Sequence, residues 1–332
     1  MIISRATSLP EGLADWLKTM NAMMAEAAAR GLVPSASGAR QALAGLTSML
    51  GGQGPELVQV YDFRLPSLPD IPVRCYDPGS GGARPVLVYL HGGGHMAGSI
   101  DVYDPIVRRV ARHTRCCTVA VEYRLAPEHP YPHGLDDCRA VVRAISAGQA
   151  GLKGKHGHGV IVAGDSAGGA LTATLAAESV FDAGLAIHGQ ILVYPSLDYT
   201  LGQPSVASIG QGGYLLEADR IRWYFDHYFS ADQDRKAASP LFMPKAGLPP
   251  TLIFTAGFCP LRDEGFAYAG GLEQAGVQCR HENFPDMIHA WLNMHTLVPQ
   301  ACERTYEAMG QWVRRYALPV DTVYEVSAAT TL

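Results

Sequence analysis

The sequence predicts an α/β fold, a mostly parallel sheet beneath a helical cap, on three observations. Short apolar runs bounded by turn residues alternate with stretches of helical periodicity. One such run, Val160 to Ala163, breaks into Gly164-Asp165-Ser166-Ala167-Gly168 and then a small-residue helix. Another, Pro85 to Leu90, runs directly into His91-Gly92-Gly93-Gly94.

The chain has 332 residues, 48% hydrophobic and 17% charged, enough for one large globular domain with an elaborated lid. A net charge of −5 and the lack of any lysine or arginine run exclude a phosphate-binding stripe, so no nucleic-acid partner is expected. Met1 to Ala6 has no basic start followed by an apolar run, and no segment reaches the 18 or so apolar residues of a membrane span. The expected setting is cytoplasmic. Seven cysteines without paired metal-like spacing fit reduced thiols, and Cys116-Cys117 reads as apolar filler in a strand.

Taken in order, Leu13, Trp16, Leu17, Met20 and Met24 recur at helical steps, and Ser35 to Leu50 repeats the pattern more weakly. Gly51 to Pro55 is a breaker cluster that marks a boundary. Leu57 to Leu65 and Ile71 to Tyr76 read as an antiparallel hairpin at a sheet edge. Pro85 to Leu90, Cys116 to Tyr123, Val160 to Ala163, Ile191 to Tyr194 and Thr251 to Ala256 then read as buried strands. Tyr103 to His113, Gly134 to Ala147 and Ala167 to Val180 read as the helices between them. The interval from Tyr194 to Thr251 is too long for a crossover and carries an aromatic stripe from Glu217 to Phe229. This insertion and the N-terminal helices are expected to pack over the C-terminal ends of the strands, where α/β sheets hold ligands. A helix from Leu261 to Ala275, a strand from Gln278 to Phe284 and a helix from Pro299 to Tyr316 follow, and the residues after Leu318 read as a loose tail. The implied division is 1–50, N-terminal cap helices; 51–196, first part of the core; 197–248, cap insertion; and 249–332, second part of the core.

Ser166 is the candidate nucleophile. A serine at the tip of a strand-to-helix turn has a strained backbone, and side chains two residues away would collide, which Gly164 and Gly168 avoid. The Ala167 N–H, at a helix N-terminus, is a candidate oxyanion donor, as are the unshielded N–H groups of Gly93 and Gly94. His91 reads as a structural imidazole that fixes the glycine loop. The candidate base is His289, just after the last strand, which gives the order nucleophile, acid, histidine. His156 and His158 have no carboxylate or cysteine cluster beside them, so no metal is expected.

His91 to Gly94, Glu122-Tyr123-Arg124-Leu125-Ala126-Pro127-Glu128-His129-Pro130-Tyr131-Pro132, Gly164 to Gly169 and Asp286-Met287-Ile288-His289 together resemble the hormone-sensitive-lipase family of α/β-hydrolase carboxylesterases, the branch with Gly-Asp-Ser-Ala-Gly. The resemblance runs from about residue 57 to 315. It implies an eight-stranded mixed sheet, a cap built from the N-terminus and the insertion, no cofactor, and hydrolysis of esters with short to medium acyl chains. It also carries over Ser166 as nucleophile, His289 as base, and Gly93, Gly94 and Ala167 as oxyanion donors.

One position departs from the family. The third triad member is the first aspartate of an Asp-Pro-Leu-Arg-Asp segment, and here that segment reads Cys259-Pro260-Leu261-Arg262-Asp263. Three rescues are weighed beside the possibility that the cysteine is an engineered substitution: Cys259 as a thiolate at a helix N-cap with Pro260 at the first helical position; Asp263 reaching His289 directly or through water from one turn along, its other reading being a salt bridge or loop-fixing contact; and Glu264. Glu264 points about 100° round the helix and is less suited. The expected function is a serine carboxylesterase acting through an acyl-enzyme on a small ester. The alternative is a catalytically impaired or ligand-binding homologue, because the acid position is Cys259. Amide, lactone and acetylated-sugar hydrolysis share the chemistry, and Met20, Met23, Met24, Tyr214 and Trp223 are candidates to line the pocket. A homodimer is left open.

Overall fold

In the computed structural model, residues 8–65, 68–79, 84–148, 152 and 159–316 are described. The loop holding His156 and His158, the first six residues and the segment after Leu318 lie outside the described residues, as does the hairpin connection Pro66-Ser67. The chain opens with helices α1 (Glu11–Ala29) and α2 (Ala36–Leu50), the second capped by the Ser35 hydroxyl accepting from the Gly38 N–H. The hairpin β1 (Gln59–Leu65) and β2 (Leu68–Asp77) follows. Then come β3 (Val86–Leu90), α3 (Ile100–Thr114), β4 (Thr118–Val121), α4 (His133–Ser146), β5 (Val160–Asp165), α5 (Ala167–Ser179) and β6 (Ile187–Val193). The insertion holds α6 (Pro204–Ile209), α7 (Ala218–Tyr228) and α8 (Arg235–Ala238), and the chain closes with β7 (Thr251–Phe258), α9 (Arg262–Gln274), β8 (Cys279–Ile288) and α10 (Pro299–Tyr316).

The eight strands form one sheet in the order β1-β2-β4-β3-β5-β6-β7-β8. β2 runs antiparallel to both β1 and β4, and the remaining neighbours are parallel. Every residue of β3, β4 and β5 is buried because helices cover both faces, which is why these strands read as unbroken apolar runs. The chain steps from β3 to β4 on one side and returns to β5 on the other. The switch in strand order therefore falls between β3 and β5, the place where such sheets open a crevice at their carboxyl ends.

Several elements differ from the sequence reading. Strand β4 starts at Thr118, so Cys116 and Cys117 are buried in the connection before it and not in the strand itself. Strand β8 continues through Pro285 to Ile288; it is an edge strand, where a missing N–H breaks no ladder, and β7 bulges opposite it between Ala256 and Phe258. Helices α6 and α8 are too short to leave a periodic signal.

The helical layers close tightly on the sheet. In α5 every residue from Ala167 to Ala176 is buried, in keeping with its Ala, Gly and Thr content. Gly310 of α10 meets α3 so closely that an added Cβ would sit 2.3 Å from the His113 carbonyl oxygen. A Gly310→Ala substitution should force the two helices apart and lower stability by about 1–3 kcal/mol, as an overpacked core does. Urea unfolding checks this, with a cost near zero as the contrary result.

Candidate active site

The segment from β5 into α5 is a bent turn with Ser166 at its tip, at φ 52° and ψ −117°, a left-handed conformation costly for any residue but glycine. Its neighbours explain why the turn holds. A Cβ on Gly164 would lie 2.3 Å from the Gly168 carbonyl oxygen, and one on Gly168 would lie 2.0 Å from the Leu90 carbonyl oxygen. The two glycines thus pack against each other and against the end of β3. Asp165 ties this turn to β3, the glycine loop and α3: its Oδ1 accepts from the Gly92 N–H at 2.9 Å and the Tyr89 hydroxyl at 3.0 Å, and its Oδ2 accepts from the Tyr103 hydroxyl at 3.1 Å. Complete burial pushes its pKa up to about 7 against these donors.

The glycine loop leaves β3 with positive φ at Gly93 (119°) and Gly94 (64°). A Cβ on Gly94 would sit 2.6 Å from the Tyr224 ring of α7, so the insertion rests directly on this loop. His91 is buried behind it, stacked on Tyr123 with centroids 4.3 Å apart, and the Tyr123 hydroxyl donates to the His91 carbonyl at 2.6 Å. Burial lowers the His91 pKa to about 4, so it stays neutral as a fixing element of the loop.

His289 follows β8 directly and brings Nε2 to 2.9 Å from Ser166 Oγ across 123 residues of sequence. On its other side Nδ1 lies 3.3 Å from Cys259 Sγ, which also accepts from the Leu261 N–H at 3.4 Å. Burial with no carboxylate beside it lowers the His289 pKa to about 3.

The proposed rescues meet a different geometry. Helix α9 begins at Arg262, and Cys259 stands three residues ahead of it in a turn closed by the Arg262 N–H to the Cys259 carbonyl at 3.0 Å. The thiol is therefore not at the N-cap, and burial pushes its pKa well above the ordinary range, so it is a neutral thiol and not a thiolate. Asp263 turns to Arg262, whose Nε lies 2.8 Å from its Oδ1, while its N–H donates to Ser205 Oγ at 3.0 Å. The partner recorded at His289 Nδ1 is Cys259, not Asp263. Glu264 is fully buried and accepts from the Leu197 and Asp198 N–H groups, a structural task.

Ser166 and His289 form the floor of a largely apolar cavity of about 440 Å³. Trp16, Met20 and Met24 of α1, Leu43, Leu46 and Met49 of α2, and Leu215, Leu216, Arg220, Ile221, Tyr224 and Phe225 of the insertion form its walls, with Gly93, Gly94 and Ala167 beside the floor. Of the pocket residues expected from sequence, Met20 and Met24 line it. Met23 points to solvent, Tyr214 packs on Phe258, and Trp223 lies against His227. Arg220, Leu215 and Leu216 carry no local sequence signal and reach the cavity through the packing of the insertion.

His95, at the end of the glycine loop, ties it to the insertion: its ring stacks on Tyr228 at 3.8 Å and its Nε2 lies 3.1 Å from the Tyr199 hydroxyl. Burial lowers its pKa to about 3, whereas an unfolded imidazole takes a proton near 6.5. The unfolded state thus binds the extra proton, and stability from this residue is lost as pH falls from about 6.5 toward 3. His95→Phe keeps the stacking and has no proton to take. Its stability deficit against the parent should shrink by about 1.4 kcal/mol per pH unit below pH 6.5 in urea melts, and a deficit that ignores pH would contradict this.

Known proteins resemble this chain in sequence and in fold. A family model described as the alpha/beta hydrolase fold matches residues 87–293. The carboxylesterase NlhH of Mycobacterium tuberculosis is 39% identical over 72% of this chain and 76% of its own length. An ethyl acetate hydrolase of Pseudomonas putida is 34% identical over 77% of this chain and 83% of its own. Among solved structures, a Pyrobaculum calidifontis esterase superposes with a TM-score of 0.81 at 29% identity, covering 94% of this chain and all of that one. Sequence, topology and site all lead to one assignment: this chain belongs to the alpha/beta hydrolase fold family, in its hormone-sensitive-lipase-like carboxylesterase branch.

Proposed function

We propose that the chain is a serine carboxylesterase that hydrolyses short- to medium-chain acyl esters through an acyl-enzyme. The observation that carries this reading is the 2.9 Å contact of Ser166 Oγ with His289 Nε2 on the floor of an apolar cavity beside the glycine loop. Ser166 Oγ attacks the ester carbonyl as His289 takes its proton, and the N–H groups of Gly93, Gly94 and Ala167 hold the oxyanion. The alcohol leaves with the proton from His289, and water, activated by the same imidazole, releases the acid. No described helix is long and apolar enough to cross a membrane, and the described cysteines are free thiols, most of them buried; both support the cytoplasm as the setting. Helices α1 and α2 together with the 197–248 insertion act as the cap, supported by their share of the cavity wall.

Cys259 makes a specific difference to this chemistry. A neutral thiol orients the imidazole through Nδ1 but supplies no negative charge to the imidazolium that forms when Ser166 gives up its proton. The esterase reading is favoured over an impaired or ligand-binding homologue because the relatives named above are esterases at 34–39% identity.

Two results are expected. Ser166→Ala should abolish hydrolysis of p-nitrophenyl butyrate, and equal rates for the two proteins would sink the reading. Cys259→Asp should raise kcat by roughly 10²–10⁴, whereas Cys259→Ser, which adds no charge, should not. The same aspartate should lift the His289 pKa toward the ordinary histidine value of about 6.5. The parent's kcat/KM, whose base is neutral from about pH 3 upward, should be flat between pH 5 and 7. The variant should gain an acid limb in that window, falling as pH drops.

A further inference from the structure

One group in the cavity wall has no part in the reaction just described. Arg220, in the first turn of α7, lines the same cavity as Ser166 and His289. It lies 5.7 Å from the centre of the Trp223 ring and interacts with the Tyr224 hydroxyl, whose pKa burial raises and the nearby Arg220 charge and hydrogen bonding lower. None of the described carboxylates makes an ion pair with it. That sets it apart from the arginines around it: the acids of its own helix, Asp219 and Asp226, are taken by Arg222 and Arg235. Elsewhere Arg40 pairs with Glu128, Arg124 with Asp137 and Arg139 with Glu178.

A guanidinium without a carboxylate partner among the described residues, in the wall of an apolar cavity, is poorly matched to a neutral guest. A hydrocarbon chain that filled the cavity would strip water from Arg220 and return nothing. An anion in the same place would replace that water with charge-assisted, bidentate hydrogen bonds. A second polar group in the wall is also unused: Ser196 Oγ is buried and has no hydrogen-bond partner. It offers one more donor to an oxygen-rich guest. The other anion donors of the lining, the N–H groups of Gly93, Gly94 and Ala167, are taken by the reacting carbonyl, and the Asp165 carboxyl is turned to Tyr89, Tyr103 and the Gly92 N–H.

We propose that the cavity selects esters whose acyl or alcohol part ends in a carboxylate, bound by the Arg220 guanidinium. This rests on the serine-carboxylesterase reading and names its substrate class. The reaction is unchanged: the C–O bond to the alcohol breaks, water adds to the acyl carbon, and the distal carboxylate serves only as a handle.

The test compares two esters with the same six-carbon acyl chain, monoethyl adipate and ethyl hexanoate, by release of ethanol. The parent should favour the anionic ester in kcat/KM by tenfold or more, chiefly through KM. Arg220→Gln should cut that ratio at least tenfold, and Arg220→Lys, which keeps the charge but loses the fork, should fall between. The ratio is the readout, so a general loss of activity cannot imitate it, and thermal melts of each variant confirm that it is folded. If ethyl hexanoate is cleaved in a Ser166-dependent way but the ratio is near one, or does not move in Arg220→Gln, the carboxylate subsite is overturned and the esterase reading stands. If neither ester is cleaved, the esterase reading fails, and adipate titrated calorimetrically into the parent and Arg220→Gln decides the subsite. Heat of binding that vanishes in the variant supports it, and equal or absent heat overturns it.

Discussion

The site depends on a contact between two pieces of backbone, Gly168 at the start of α5 and the carbonyl of Leu90 at the end of β3. A side chain at residue 168 would come within 2.0 Å of that oxygen, so only glycine lets the helix start where it does. With the helix so seated, the strained backbone of Ser166 is held by its surroundings on both sides, since its carbonyl accepts from the Ala170 and Ser196 N–H groups. Asp165 then fixes the glycine loop to the same unit through the Gly92 N–H. The hydroxyl and the candidate oxyanion donors are thus parts of one rigid body at the switch point of the sheet. The imidazole comes from elsewhere, delivered by the far edge strand and braced by Tyr194, which packs on both His289 and Trp291.

Cys259 separates two jobs that one carboxylate does in related sites. Holding the imidazole ring is a matter of shape and one hydrogen bond, and the thiol at 3.3 Å still does that. Stabilising the protonated ring needs a nearby negative charge, and the buried thiol has none to give. The depressed pKa of His289 follows from its burial.

Much of this was legible from the residues because the informative features are local. Buried parallel strands announce themselves as apolar runs, and a bend that admits only glycine beside the serine leaves its mark within five positions. The 2.9 Å meeting of Ser166 and His289 agrees with their places at the carboxyl ends of β5 and β8, where such sheets open their crevice. Other features had no local signature. Pro260 suited a first helical position, yet the turn at Cys259 to Arg262 closes on itself first and delays α9 to Arg262. Asp165 sat in view inside the motif, but its three donors come from β3, α3 and the glycine loop, which no spacing reveals. Arg220 was hidden within an aromatic stripe, and only the seating of α7 on Gly94 brings it to the cavity.

Arg40 gives the roof of the cavity an asymmetry. From α2 it donates to the carbonyls of Met96 and Ala126 and meets Glu128, so one side chain bolts this helix to two loops of the floor. Helix α1 has a lighter fastening, two buried leucines and one bond from Asn21 to the Gly213 carbonyl. Lifting α2 would orphan carbonyls a few residues from the glycine loop and disturb the cradle it covers. Lifting α1 breaks less and leaves the floor untouched. The more lightly held helix is also the one that presents the pliant thioethers of Met20 and Met24 to the chamber, so the roof is firm on the α2 side and adaptable in shape on the α1 side.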